Sequence, residues 1–158
     1  MSRSGYCDDY DLDNWNLIRW RGQVASAIRG KRGQAFLREL VEALDAMPEK
    51  RLIANELQEG CEVCAIGSVG IKRGVNLTEL DPHDYDRIAA TFGIAHQLVQ
   101  EIEWMNDEAY FGTTPEGRWI YMREWAAKSL TAQGGEAGTA ETQSGSVHEH
   151  PVAESDAP

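Results

Sequence analysis

Apolar residues recur at helical spacing through most of the chain between residues 14 and 130. Asn14 has a short polar side chain suited to capping a helix. The helix it opens is expected to turn Trp15, Ile18, Val24, Ala25 and Ile28 toward the core. Gly30 and Gly33 bracket Lys31-Arg32 and read as a turn. From about Gln34 to Met47, Phe36, Leu37, Leu40, Val41 and Leu44 form one stripe. That helix ends at Met47-Pro48, because the residue before a proline is pushed out of the helical region. Leu52, Ile53, Ala54 and Leu57, then a turn at Glu59-Gly60, then Val63 and Ile66, suit one small β-hairpin. The string from Cys64 to Lys72 equally suits a buried helix ending at Gly74, its small residues Ala65, Gly67, Ser68 and Gly70 letting backbones approach.

The stretch from Asp81 to Glu108 organises the rest. Asp81 and Pro82 form a start signal, and Asp84 and Asp86 place negative charge at the positive end of the helix that follows. Tyr85, Ile88, Ala89 and Phe92 share one face, and Gly93 is suited to the left-handed C-cap. A second helix then presents Leu98, Val99, Ile102 and Met105. The spacing Ala89, Gly93, Val99, Ile102 is also that of a helix-turn-helix. Beyond it, Thr114-Pro115-Glu116 starts a last helix that buries some of Trp119, Ile120, Met122, Trp125, Ala126 and Leu130.

These elements predict a mainly α, multi-helix domain over 14–130, containing a helix-turn-helix-like pair and room for one small β-hairpin. Residues 1–13 read as an acidic arm with Asp8, Asp9, Asp11 and Asp13. Residues 131–158 shift to Gly, Ala, Thr, Ser, Glu and Pro, a composition that predicts disorder because too little apolar surface is available to offset chain entropy.

Charge narrows the function. The net charge is -11, and residues 131–158 hold Glu136, Glu141, Glu149, Glu154 and Asp156 with no Lys or Arg. Such a balance argues against general affinity for nucleic acid or anionic membranes. No apolar run is long enough to span a bilayer and no signal-peptide core is present, so a cytoplasmic protein is expected. The one basic zone is Arg19, Arg21, Arg29, Lys31, Arg32 and Arg38, suited either to phosphates or an acidic partner surface or, through Arg19, Arg29 and Arg38, to pairing with acids of neighbouring helices.

The candidate chemistry is sparse, and neither a catalytic constellation nor a cofactor is expected. If the helix-turn-helix reads DNA, His96, Gln97 and Gln100 lie on the reading helix, but Glu101 and Glu103 there oppose phosphate. Cys61-Glu-Val-Cys64 is a single pair, for which His83 is a nearby third zinc donor. Asn106-Asp107-Glu108 makes an acidic corner.

Arg19-Trp20-Arg21-Gly22, Arg29-Gly30-Lys31-Arg32-Gly33-Gln34, Cys64-Ala65-Ile66-Gly67, Phe92-Gly93-Ile94, Met105-Asn106-Asp107-Glu108 and Thr114-Pro115-Glu116 with Arg118-Trp119 occur in this order. The order resembles a family of small, uncharacterised proteins encoded by bacteriophages and prophages of proteobacteria. It covers about Trp15 to Leu130 and implies a phage or prophage origin and a bacterial cytoplasm. The function expected is therefore a non-enzymatic accessory protein that binds a host or phage protein, with Arg19, Arg21, Lys31, Arg32, Asp107 and Glu108 as partner-binding residues. A helix-turn-helix regulator and a small zinc protein are the alternatives.

Overall fold

The computed structural model describes residues 14–110 and 112–131. The expectations for the acidic arm and for the segment after Thr131 concern residues outside these. Six helices and one hairpin are present among the described residues: α1 (Asn14–Arg29), α2 (Lys31–Ala46), β1 (Gln58–Glu59), β2 (Glu62–Val63), α3 (Ala65–Arg73), α4 (Tyr85–Phe92), α5 (His96–Asp107) and α6 (Pro115–Ser129). A 3-10 turn, Leu77–Glu79, joins α3 to α4.

Helix α5 is the axis. It packs against α1, α3, α4 and α6, while α2 packs on α3 and α6. No residue from 95 to 109 is exposed, and Leu98, Val99 and Ile102 are fully buried. The core around them is built from Phe36, Leu37, Leu40 and Leu44 of α2, Ile66 and Val69 of α3, Ile88 and Phe92 of α4, and Met122 and Ala126 of α6. Phe36 and Phe92 meet edge to face at 6.0 Å, a favoured aromatic geometry. Arg73 closes this corner: it bonds Glu39 of α2 (Nε to Oε1, 2.9 Å) and the Phe92 carbonyl (3.0 Å), and lies over both rings.

Several expectations are corrected. Trp15 and Ile18 point outward, 74% and 60% exposed; the inner face of α1 is Val24 with Ala27 and Ile28 packed beside it. Gly33 is not part of a turn. Gly30 alone separates α1 from α2, and Gly33 sits buried in the first turn of α2. A Cβ there would fall 1.9 Å from the Ala27 carbonyl oxygen, so Gly33 lets two backbones touch. Helix α4 begins later than expected. Asp81 closes a turn by accepting from the His83 N–H (2.8 Å), and Asp84 is the cap, accepting from the Arg87 N–H (3.0 Å).

Other signals hold. Gly93 ends α4 at φ +70°, the left-handed conformation glycine adopts without penalty. Thr114 caps α6 through the Gly117 N–H, with Pro115 first in the helix. The hairpin is two residues per strand, Gln58 opposite Val63 and Glu59 opposite Glu62. The competing helix also forms, as α3, with Gly74 at its C-cap. Hairpin and helix thus share that stretch, on adjacent pieces of it. Of the tryptophans, Trp104, Trp119 and Trp125 are half-buried against the core rather than inside it.

Candidate functional site

The junction of α1 and α2 concentrates unbalanced charge. From Asn14 to Gly33 the chain carries Arg19, Arg21, Arg29, Lys31 and Arg32 and no acid. The first turn of α2 is Lys31-Arg32-Gly33, and its N-cap, Gly30, has no side chain to accept from the free N–H groups. Helix N-termini carry positive partial charge, so two cations there are unfavourable by a few tenths of a kcal/mol each. The N-cap of α5, Ala95, is equally without a side-chain bond, and the first turn of α5 has no acid.

These two helix starts face a common groove of about 440 Å³, lined by Gln23, Ser26, Ala27, Gly30, Lys31, Arg32, Gly33, Ala95 and Gln97. Gln97 and Gln23 touch across it, at 3.5 Å. The lining has cations and amides but no carboxylate, histidine or cysteine. It offers charge and N–H donors to an anion, and no acid–base pair.

Among the described residues neither Lys31 nor Arg32 makes an ion pair. The expected pairing of Arg19, Arg29 and Arg38 with acids of neighbouring helices does not occur either, again among the described residues. The cation that does pair is Arg21, at 2.8 Å from Glu101, whose side chain is 4% exposed. Arg21 therefore has a structural task, to balance a carboxylate carried on the central helix.

Four of the six expected partner-binding residues lie at opposite ends of α5. Lys31 and Arg32 line the groove beside the start of α5, whereas Asp107 and Glu108 lie at its other end. Twelve residues of helix separate those ends by about 18 Å. The acidic corner is a latch. Buried Asn106 accepts from the Ala65 N–H at the start of α3 (3.1 Å) and donates to the Ile53 carbonyl (2.8 Å) and to Asp107 (2.7 Å). Arg118 of α6 donates to the Asn106 and Leu52 carbonyls (2.7 and 2.8 Å). The Glu108 N–H ends α5 on the Trp104 carbonyl. On the neighbouring face, burial, followed by the proximity of Tyr110 and Glu101, pushes the Tyr121 phenol up to about 12.

The residues of the two alternative readings are placed differently. A reading helix must expose one face to a DNA groove, yet α5 is enclosed by other helices along its length. His96 is held by Asp86 of α4 at 2.7 Å and meets Tyr85 edge to face, Gln97 reaches Gln23, and Gln100 is half-buried. Cys61 is exposed on the hairpin, while Cys64 is buried and its sulfur accepts from the Gly67 N–H as the cap of α3. His83 is exposed in the turn before α4. Among the described residues no group of three or more His, Cys, Asp or Glu is placed to hold a metal ion.

Sequence reading missed Gln23, Ser26 and Gln34. Gln34 is the least visible, a polar residue on a helix stripe. It is 5% exposed and donates to the Ile28 carbonyl (2.8 Å) and the Ser129 carbonyl (3.0 Å). It also accepts from Thr131, at 2.8 Å from the N–H and 3.0 Å from the hydroxyl. Its position within the apolar stripe of α2 is the only signal that could have found it. No family model, curated protein or solved structure matches the chain, so the groove is interpreted on its own chemistry. No helix among the described residues is long and apolar enough to cross a membrane.

Proposed function

We propose that this is a non-enzymatic binding protein whose α1–α2–α5 groove receives an acidic segment of a partner protein. On the resemblance given above, the setting proposed is a phage or prophage product acting on a host or phage protein in the bacterial cytoplasm. The observation that carries the reading is the groove itself: Lys31 and Arg32, without ion-pair partners among the described residues, beside two helix starts that lack side-chain caps. A carboxylate there would meet cations and free N–H groups together, the arrangement that makes helix N-termini anion acceptors. A protein ligand is favoured over nucleic acid by the overall charge of -11, since a phosphate backbone would be repelled by the remaining surface.

The test is a tagged capture from bacterial lysate, nuclease-treated, comparing wild type with the K31E/R32E double variant. A near-stoichiometric protein band that survives nuclease and is lost with the variant is expected, with circular dichroism showing both proteins equally helical. A band retained by the variant removes the groove from the reading. A band lost on nuclease treatment replaces a protein partner with nucleic acid.

A further inference from the structure

The described chain leaves the fold beside the groove. Thr131 is anchored to Gln34, and Gln34 follows Arg32 and Gly33 in the first turns of α2. From Gln34 back to Lys31 the helix rises about 4.5 Å. The residues that follow Thr131 carry Glu136, Glu141, Glu149, Glu154 and Asp156 and no cation. Glu136 is five residues beyond the anchor, a reach of up to about 17 Å, so the distance to Lys31 and Arg32 is spanned with chain to spare. A long acidic segment without a cation therefore starts next to the most basic stretch of the sequence.

From this juxtaposition we infer that the C-terminal segment 132–158 is an intramolecular occupant of the basic groove, competing there with the partner. The inference rests on the groove being an acceptor for acidic segments, as proposed above. Tethering makes the competition effective, because a segment held a few residues from its site acts at an effective concentration on the order of millimolar. Weak carboxylate contacts then suffice to fill the groove in the free protein, and a partner must displace them. The other acidic segment, Asp8 to Asp13, precedes the opposite end of α1. Lys31 and Arg32 lie beyond the sixteen residues of α1, about 24 Å, and so past the roughly 20 Å that an extended chain covers from Asn14 back to Asp8, although Gln23 and Ser26 of the same groove are nearer. The C-terminal segment is therefore the occupant assigned.

The experiment uses the full chain and a full-length variant carrying E136Q, E141Q, E149Q, E154Q and D156N. The probe is a synthetic peptide of residues 132–158, titrated into each protein. Amide resonances of Gly30, Lys31, Arg32 and Gly33 are expected to differ between the two free proteins. Those of wild type should move toward the variant's in about 0.5 M salt, where charge interactions beyond roughly 4 Å are screened. The peptide should bind the neutralised-tail variant about fivefold or more tightly than wild type, the penalty expected when an occupant leaves a fifth or less of the sites open. Groove resonances identical in the two proteins, with equal peptide affinity, overturn the inference while leaving the groove as an acceptor. Peptide binding to neither protein overturns the inference and the proposed acceptor role together.

Discussion

Gly33 and Gly22 are both helical glycines in the basic region, and the fold treats them oppositely. A methyl group on Gly33 would collide with the backbone of Ala27, whereas one on Gly22 would meet nothing within 4 Å. Backbone cannot move aside as a flexible side chain can, so Gly33→Ala should force α1 and α2 apart. A loss of about 1–3 kcal/mol is expected from overpacking of this kind. Gly22→Ala should instead stabilise the protein by about 0.5–1 kcal/mol, because alanine restricts the unfolded chain and suits a helix interior. Urea denaturation of both variants checks this. Equal changes would show that the crossing at Gly33 relaxes freely. The sequence offered no means of telling the two glycines apart, since what distinguishes them is the approach of a neighbouring backbone. Asn106 makes a second residue-scale case. Replacing it by alanine leaves the Ala65 N–H and the Ile53 carbonyl without their buried partner, at an expected cost of about 1–3 kcal/mol for each unsatisfied group. A thermal melt of Asn106→Ala within about 2 °C of wild type, against the several degrees such a loss implies, would refute the latch.

At the scale of elements, helix identity was legible wherever a cap and an apolar stripe agreed. α6 combines such signals through Thr114-Pro115, whereas α2 and α5, whose N-caps make no side-chain bond, were legible from their apolar stripes alone. Facing was less legible. Trp15 and Ile18 repeat at helical spacing, yet α1 buries Val24 and packs Ala27 and Ile28 because its C-terminal half is the part that meets α2 and α5. Periodicity reports that a stripe exists, not which part of it finds a neighbour. Neighbouring residues on α6 show the same limit. Trp119 packs against the core, donates its indole N–H to the Leu44 carbonyl at 3.0 Å and has Lys50 over its ring, whereas Ile120 is 54% exposed. Trp119→Ala is expected to cost about 3 kcal/mol from lost packing and a lost hydrogen bond. Ile120→Ala should stay within about 0.5 kcal/mol, as surface changes do. Chemical denaturation of the pair tests the α2–α6 contact, and comparable losses would place both side chains wrongly.

At the scale of the whole molecule, charge is distributed by task. The groove was legible in part: Lys31 and Arg32 stood out as a basic run, but Gln23, Ser26, Ala95 and Gln97 join them only because α5 passes beside the α1–α2 junction. Away from the groove, ion pairs tie α2 to its neighbours, through Glu39 to Arg73 of α3 and through Asp45 to Arg123 of α6. The hydrogen bond from Arg73 holds the Glu39 carboxyl below its ordinary value of 4.5, and Arg123 does the same for Asp45, ordinarily 3.8. A carboxyl that ionises more readily in the folded state contributes stability above its unfolded value, and that contribution is lost as pH falls through the folded one. Tyr121 works at the other limit. Its folded value of about 12 lies above the ordinary 10, so the folded state holds the phenol proton where the unfolded chain releases it. Stability should therefore decline between pH 10 and about 12, and separately as pH drops below about 4.5. Glu39→Gln removes one titrating group from the acid limb and none from the alkaline limb; Tyr121→Phe does the reverse. Urea midpoints measured across both ranges should show each variant less pH-dependent than wild type on its own limb alone. If Glu39→Gln leaves the acid slope unchanged, the bridge to Arg73 is not what couples α2 and α3 to pH.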